Sequence, residues 1–88
     1  MNTCYLIQYD LRKNRDYASL IDAIKSYGTY ACVLKSSWAI ATTKSAAEVR
    51  DHLLRHMDAD DGLFVVRSGR EAAWRGVLCR DQWLIDNL

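Results

Sequence analysis

From Thr3 to Leu11 the chain alternates without producing a polar face. Tyr5, Ile7 and Tyr9 fall on one side and Cys4, Leu6 and Gln8 on the other, and both sets are largely apolar. A period of two predicts a strand, and a strand with two apolar faces needs cover on both. In so short a chain, helices are expected to cover one face and a partner subunit the other. Tyr5 and Tyr9 are the residues expected at that interface.

The period then lengthens. Tyr17, Leu20, Ile21, Ile24 and Tyr27 share one helical face, with Arg15, Ser19, Asp22 and Ser26 opposite. Asp16 or Asn14 can cap this helix, and Gly28 supplies its stop. Thr29–Leu34 and Trp38–Thr43 read as two strands joined by a turn at Lys35-Ser36-Ser37. Ser45-Ala46-Ala47-Glu48 has the form of a capping box and opens a second helix, striped by Ala46, Val49, Leu53 and Met57. Asp58-Ala59-Asp60-Asp61-Gly62 breaks it, and Leu63–Val66 is a fourth strand. The order β-α-β-β-α-β predicts an α+β, ferredoxin-like sandwich. A short helical tail follows. Glu71 to Trp74 is expected to make a helical turn, and Asp81 to cap a last helix through Leu88, anchored by Trp83 and Leu84.

Length places residues 1–88 in a single domain. Twelve basic against eleven acidic side chains leave a net charge of +1. Bulk charge therefore does not argue for a nucleic-acid partner, which would need a local patch. Cys4, Cys32 and Cys79 are an odd, widely spaced set, which disfavours a disulfide framework and a CxxC metal knuckle. Reduced thiols in a cytoplasmic protein are the expectation. No cationic segment precedes a long apolar run, so neither a signal peptide nor a membrane span is expected.

One local patch stands out. The first strand closes on Asp10, and Leu11-Arg12-Lys13-Asn14-Arg15 follows. A carboxylate at a sheet edge can offer hard oxygen to Mg²⁺ or Mn²⁺, and Arg12, Lys13 and Arg15 can hold phosphate oxygens. Metal-assisted phosphodiester chemistry needs both. The same residues also suit a turn-forming Asp beside a solvated loop. His52 and His56 are four apart on the second helix, but with no third ligand in view they read as hydrated residues flanking the apolar stripe. Asp58, Asp60 and Asp61 lack the length and later Glu of a calcium loop and read as a helix-ending turn. Trp38, Trp74 and Trp83 read as sheet or interface cover in preference to base-stacking platforms.

Tyr9-Asp10-Leu11, Tyr27-Gly28 and Asp60-Asp61-Gly62-Leu63 lie in order on one βαββαβ frame. In this, residues 3 to 67 resemble the CRISPR-associated adaptation endonucleases of ferredoxin-like fold and their wider superfamily, with VapD-type endoribonuclease toxins and SinR-like bacterial proteins. The resemblance implies a face-to-face homodimer in which Asp10 and its symmetry mate share one divalent metal. It implies Asp10 as the catalytic residue, and Arg12, Lys13 and Arg15 as nucleic-acid contacts. Where the family often carries an acid after its Tyr-Gly, this chain reads Leu34-Lys35-Ser36-Ser37-Trp38. Two functions follow as expectations: a Mg²⁺- or Mn²⁺-dependent homodimeric nuclease, or a non-catalytic dimeric module that binds nucleic acid or protein.

Overall fold

The computed structural model describes residues 2–12, 17–69 and 71–88. The chain runs β1 (Thr3–Asp10), α1 (Ala18–Lys25), β2 (Thr29–Leu34), β3 (Ser37–Thr42), α2 (Ala46–Leu54), β4 (Gly62–Arg67) and α3 (Asp81–Asn87). The strands form one antiparallel sheet in the order β2-β3-β1-β4. This is the ferredoxin-like α+β arrangement with a C-terminal helix added, and β1 lies inside the sheet with a partner on each side.

The register assigns the two faces. Ile7 sits opposite Trp38 and Val65, Tyr5 opposite Ile40, and Tyr9 opposite Leu63. These side chains pack with Leu20, Ala23 and Ile24 of α1 and Val49 and Leu53 of α2 in a single core. Each such large apolar side chain, fully buried, contributes about 1.5–3 kcal/mol. Tyr5 and Tyr9 thus point at the helices and not at a partner. Trp38 Nε1 donates to the Tyr9 hydroxyl at 3.2 Å, which satisfies the indole inside the packed layer.

The opposite face carries Cys4, Leu6 and Gln8 with small residues beside them: Ala39 opposite Leu6, Ala41 opposite Cys4, and Ala31 opposite Ala39. Ala39 is fully buried, and Ala31, Ala41 and Cys4 nearly so. Their cover is the chain's own C-terminal segment. Leu6 and Val33 share a small cavity with Trp74, Leu84 and Leu88. Ser68 N–H donates to the Cys4 carbonyl at 2.9 Å, and Leu78 N–H to the Val33 carbonyl of the edge strand at 2.8 Å. The cover expected from a second subunit is supplied over this part of the face from within.

Local signals behave unevenly. Gly28 ends α1 with φ +84°, where a side chain would be strained. α1 begins at Ala18 after Tyr17, with no side-chain cap; Asn14 and Asp16 lie outside the described residues. The β2–β3 turn is Lys35-Ser36, one residue shorter than expected, since Ser37 already pairs in β3. Glu71 to Trp74 forms no helical turn and has no regular secondary structure. Asp81 is the first residue of α3 and not its cap; its carboxylate instead accepts from Trp74 Nε1 at 3.1 Å, pinning the tail to the helix.

The capping box on α2 is complete. Glu48 N–H donates to Ser45 Oγ at 3.2 Å, and Ser45 N–H to Glu48 Oε1 at 3.0 Å. The Ser45 N–H, followed by the Ser45 hydroxyl, favours the ionised acid and holds the Glu48 carboxyl below its ordinary pKa. Ser45→Ala is expected to destabilise the protein by about 1 kcal/mol, read as a lower urea midpoint at unchanged m-value. An unchanged midpoint would contradict the cap.

Candidate functional site

Asp10 is the last residue of β1 and pairs with Gly62, the first of β4. By alternation it shares the sheet face of Leu6 and Gln8, away from the helices. Its side chain is 75% exposed. Gln8, Tyr9, Asp10, Gly62, Leu63 and Phe64 line a shallow groove of about 280 Å³. Phe64, opposite Gln8, is 58% exposed, and Val66, opposite Leu6, is also exposed. This end of the face is the part left open by the C-terminal segment.

Arg12 folds back over the strand end. Its Nε lies 3.4 Å from Asp10 Oδ2, and its Nη1 donates to the Asp60 carbonyl at 2.8 Å. A Cβ on Gly62 would lie 3.4 Å from Arg12 Nη2 and 3.5 Å from Asp10 Cβ, in ordinary van der Waals contact with both. The Asp10–Arg12 pair is long and open to solvent, and contributes less than about 1 kcal/mol.

The acidic turn before β4 does more than end a helix. Asp61 Oδ1 accepts the Arg12 backbone N–H at 2.8 Å, and Oδ2 accepts the Tyr17 hydroxyl and the Asp58 N–H, each at 2.9 Å. One carboxylate therefore ties the exit of β1, the entry to α1 and the entry to β4. Asp10 and Arg12 stand on a braced platform. Lys13 and Arg15, the other expected phosphate contacts, lie outside the described residues.

Asp61→Ala removes three acceptor contacts and leaves their donors to water. A loss of about 2 kcal/mol is expected, with Asp61→Asn intermediate because it keeps one acceptor oxygen. Equilibrium urea unfolding checks it, and equal stability of Asp61→Ala and the parent would contradict the bracing role.

Among the described residues, no group of three or more His, Cys, Asp or Glu side chains is placed to hold a metal. The donor chemistry of Asp10 nevertheless suits Mg²⁺, which keeps several waters and takes one or two carboxylates together with substrate phosphates. Asp10 offers one exposed oxygen donor, with Arg12 beside it as a competing cation.

A second polar arrangement lies at the far end of the sheet. His52 Nδ1 and the Tyr27 hydroxyl are 2.8 Å apart, their rings meeting edge to face, and the His56 ring packs edge-on against His52. His52 was thus more than a solvated flank residue, and the signal available in the sequence was only the coincidence of Tyr27 at a helix end with His52 one turn from the α2 cap. Burial, then the nearby His56 and Arg55 charges, push the His52 pKa below its ordinary value.

The sign of the consequence follows. The unfolded chain takes up this proton at a higher pH than the folded one, so stability falls as pH drops below about 6.5 toward the folded value. His52→Gln is expected to flatten the slope of stability against pH between about 7 and 5, measured by urea unfolding. An unchanged slope would assign that pH dependence to other groups.

No protein-family model matches the chain. Among the described residues no helix is long and apolar enough to cross a membrane.

Proposed function

We propose that this chain is a metal-dependent nuclease resembling the CRISPR-adaptation and VapD-type proteins, acting on RNA or DNA as a homodimer. The observation that carries the proposal is the placement of Asp10. It ends an interior strand on the open part of the sheet face, beside the exposed Phe64 and Val66. A second copy seated on that apolar patch would bring a second Asp10 toward the first, and two carboxylates would hold Mg²⁺ or Mn²⁺ better than one. The metal, when bound, would supply Lewis-acid stabilisation of the phosphoryl group and a more acidic water. Asp10 serves as its ligand, and Arg12 turns from Asp10 toward a substrate phosphate, with Lys13 and Arg15 as further contacts of the same loop.

A second reading rests on the Arg12 geometry. With its guanidinium engaged by Asp10 and by the Asp60 carbonyl, Asp10 serves as a structural strand end. The protein is then a non-catalytic dimeric module that binds nucleic acid or another protein.

Sedimentation and cleavage of single-stranded RNA and DNA together separate these readings. The nuclease requires a dimer at micromolar concentration and cleavage that appears with Mg²⁺ or Mn²⁺ and stops with EDTA. A dimer that binds without cutting selects the module, and a monomer rules out the shared metal.

A further inference from the structure

The cleft between the C-terminal end of α1 and the exposed side of α2 has a volume of about 630 Å³ and is lined by Tyr27, Lys44, Glu48, Asp51, His52 and Arg55, among others. It opens beside Thr42, which pairs with Thr3 at the start of β1. Asp10 lies at the other end of that strand, seven residues and therefore ~23 Å away. The cleft is a separate place on the molecule, and nothing argued for Asp10 bears on it.

Its charges are not equally available. Glu48 Oε1 is engaged by the Ser45 N–H, and Asp51 Oδ1 is paired with Arg50 Nε at 2.9 Å. Lys44 and Arg55 make no close ion pair among the described residues, although Lys44 lies near enough to Glu48 to help hold its carboxyl ionised. Two cations without a close carboxylate contact therefore flank a histidine whose Nδ1 already has a partner in Tyr27. In the tautomer in which the Tyr27 hydroxyl donates to Nδ1, His52 carries its proton on Nε2, which is then a third donor. Three donors around a concave site, two of them cationic, match the oxygens of a phosphate group. The volume lies in the range of small-ligand sites. Tyr27 and His52 add flat ring surface against which a base can rest.

We propose that this cleft is a nucleotide-phosphate site, in which Lys44, Arg55 and His52 hold the phosphate and the Tyr27–His52 pair orients it. The phosphate comes from a free mononucleotide or from one nucleotide of a strand, and the chemistry of the cleft is common to both. The proposal stands independently of the nuclease reading, because it uses none of the Asp10 residues.

The test is an NMR titration that follows the ring signals of His52 and Tyr27, with inorganic phosphate, adenosine monophosphate and a short single-stranded RNA as probes. Saturable shifts are expected with the nucleotide probes, tighter than with inorganic phosphate. Tighter binding of RNA assigns the site to a strand, and tighter binding of adenosine monophosphate to a free nucleotide. Replacing Lys44 and Arg55 together by Ala should weaken binding by about tenfold or more, since each removes a charge-assisted contact. Both side chains are exposed, so the variant should keep its melting temperature. Absence of saturation, equal affinity for inorganic phosphate and nucleotide, or binding unaffected by the double substitution would each overturn the proposal. Shifts confined to the Arg12 loop would do so as well.

Discussion

Asp10→Asn is expected to reduce Mg²⁺-dependent cleavage by orders of magnitude while leaving the fold in place. Asn keeps the size of Asp and its readiness to end a strand, but it loses the charge that attracts a hard cation. The structural cost is small because, among the described residues, the partner of that carboxylate is Arg12, at 3.4 Å and in solvent. The β1–β4 register does not involve the side chain, and the Asp61 contacts that brace the loop are untouched. The melting temperature should therefore stay within a few degrees of the parent. It should rise slightly in the dimer if two Asp10 carboxylates repel across its axis. Excess Mn²⁺ should not restore activity to the parental level, since the missing group is the donor itself. Cleavage at the parental rate would place the chemistry elsewhere, or in a contaminant, and would leave the binding module as the reading.

The largest effect on stability is expected from Leu84→Asp. Leu84 is 2% exposed and is the buried residue of α3, seated against Leu6 and Val33 on the sheet face away from the main core. A carboxylate forced into that seam loses its hydration without gaining a partner. The C-terminal segment should detach, at a cost on the order of 3 kcal/mol. Detachment uncovers Leu6, Val33, Ala31, Ala39 and Ala41, so binding of a hydrophobic dye and loss of solubility should accompany it. The neighbouring Ile85 is 63% exposed, and Ile85→Asp should change stability by less than about 0.5 kcal/mol. Equal behaviour of the two variants in urea unfolding and dye binding would mean that α3 does not cover the sheet in solution.

The contrast between those two residues shows where sequence reading stops. Elements whose signals are local were legible without coordinates. The alternation of Tyr5, Ile7 and Tyr9, the spacing of Leu20 and Ile24, the glycine at 28 and the Ser45–Glu48 box each depend on neighbours within one turn or one strand. All four features have the predicted form. The order of elements then left few ways to close a sheet, and the βαββαβ frame followed. Asp10 was placed correctly at the end of β1, since a strand end is also a local event. The Glu71–Trp74 turn failed because its residues follow the sheet they cover and not their own propensity. Asp81 failed as a cap because Trp74, seven residues away, takes its carboxylate.

By itself, then, the sequence determined the strands, the helices, their order and the face each helix buries. Periodicity encodes which residues share a face, and capping encodes where a helix begins. The tertiary structure decided what covers the second face of β1: an apolar face states that cover is required and is silent on whose atoms supply it. It decided that Asp61 braces three segments and that Arg12 reaches the Asp60 carbonyl, because those contacts join residues up to 49 apart in the chain. It also decided that Tyr27 meets His52 in a cleft with two cations, 25 residues apart in sequence and 2.8 Å apart in space. A hydrogen bond is set by the position of two atoms to within a few tenths of an ångström, and that precision arises only when the packed core fixes the frame that carries both.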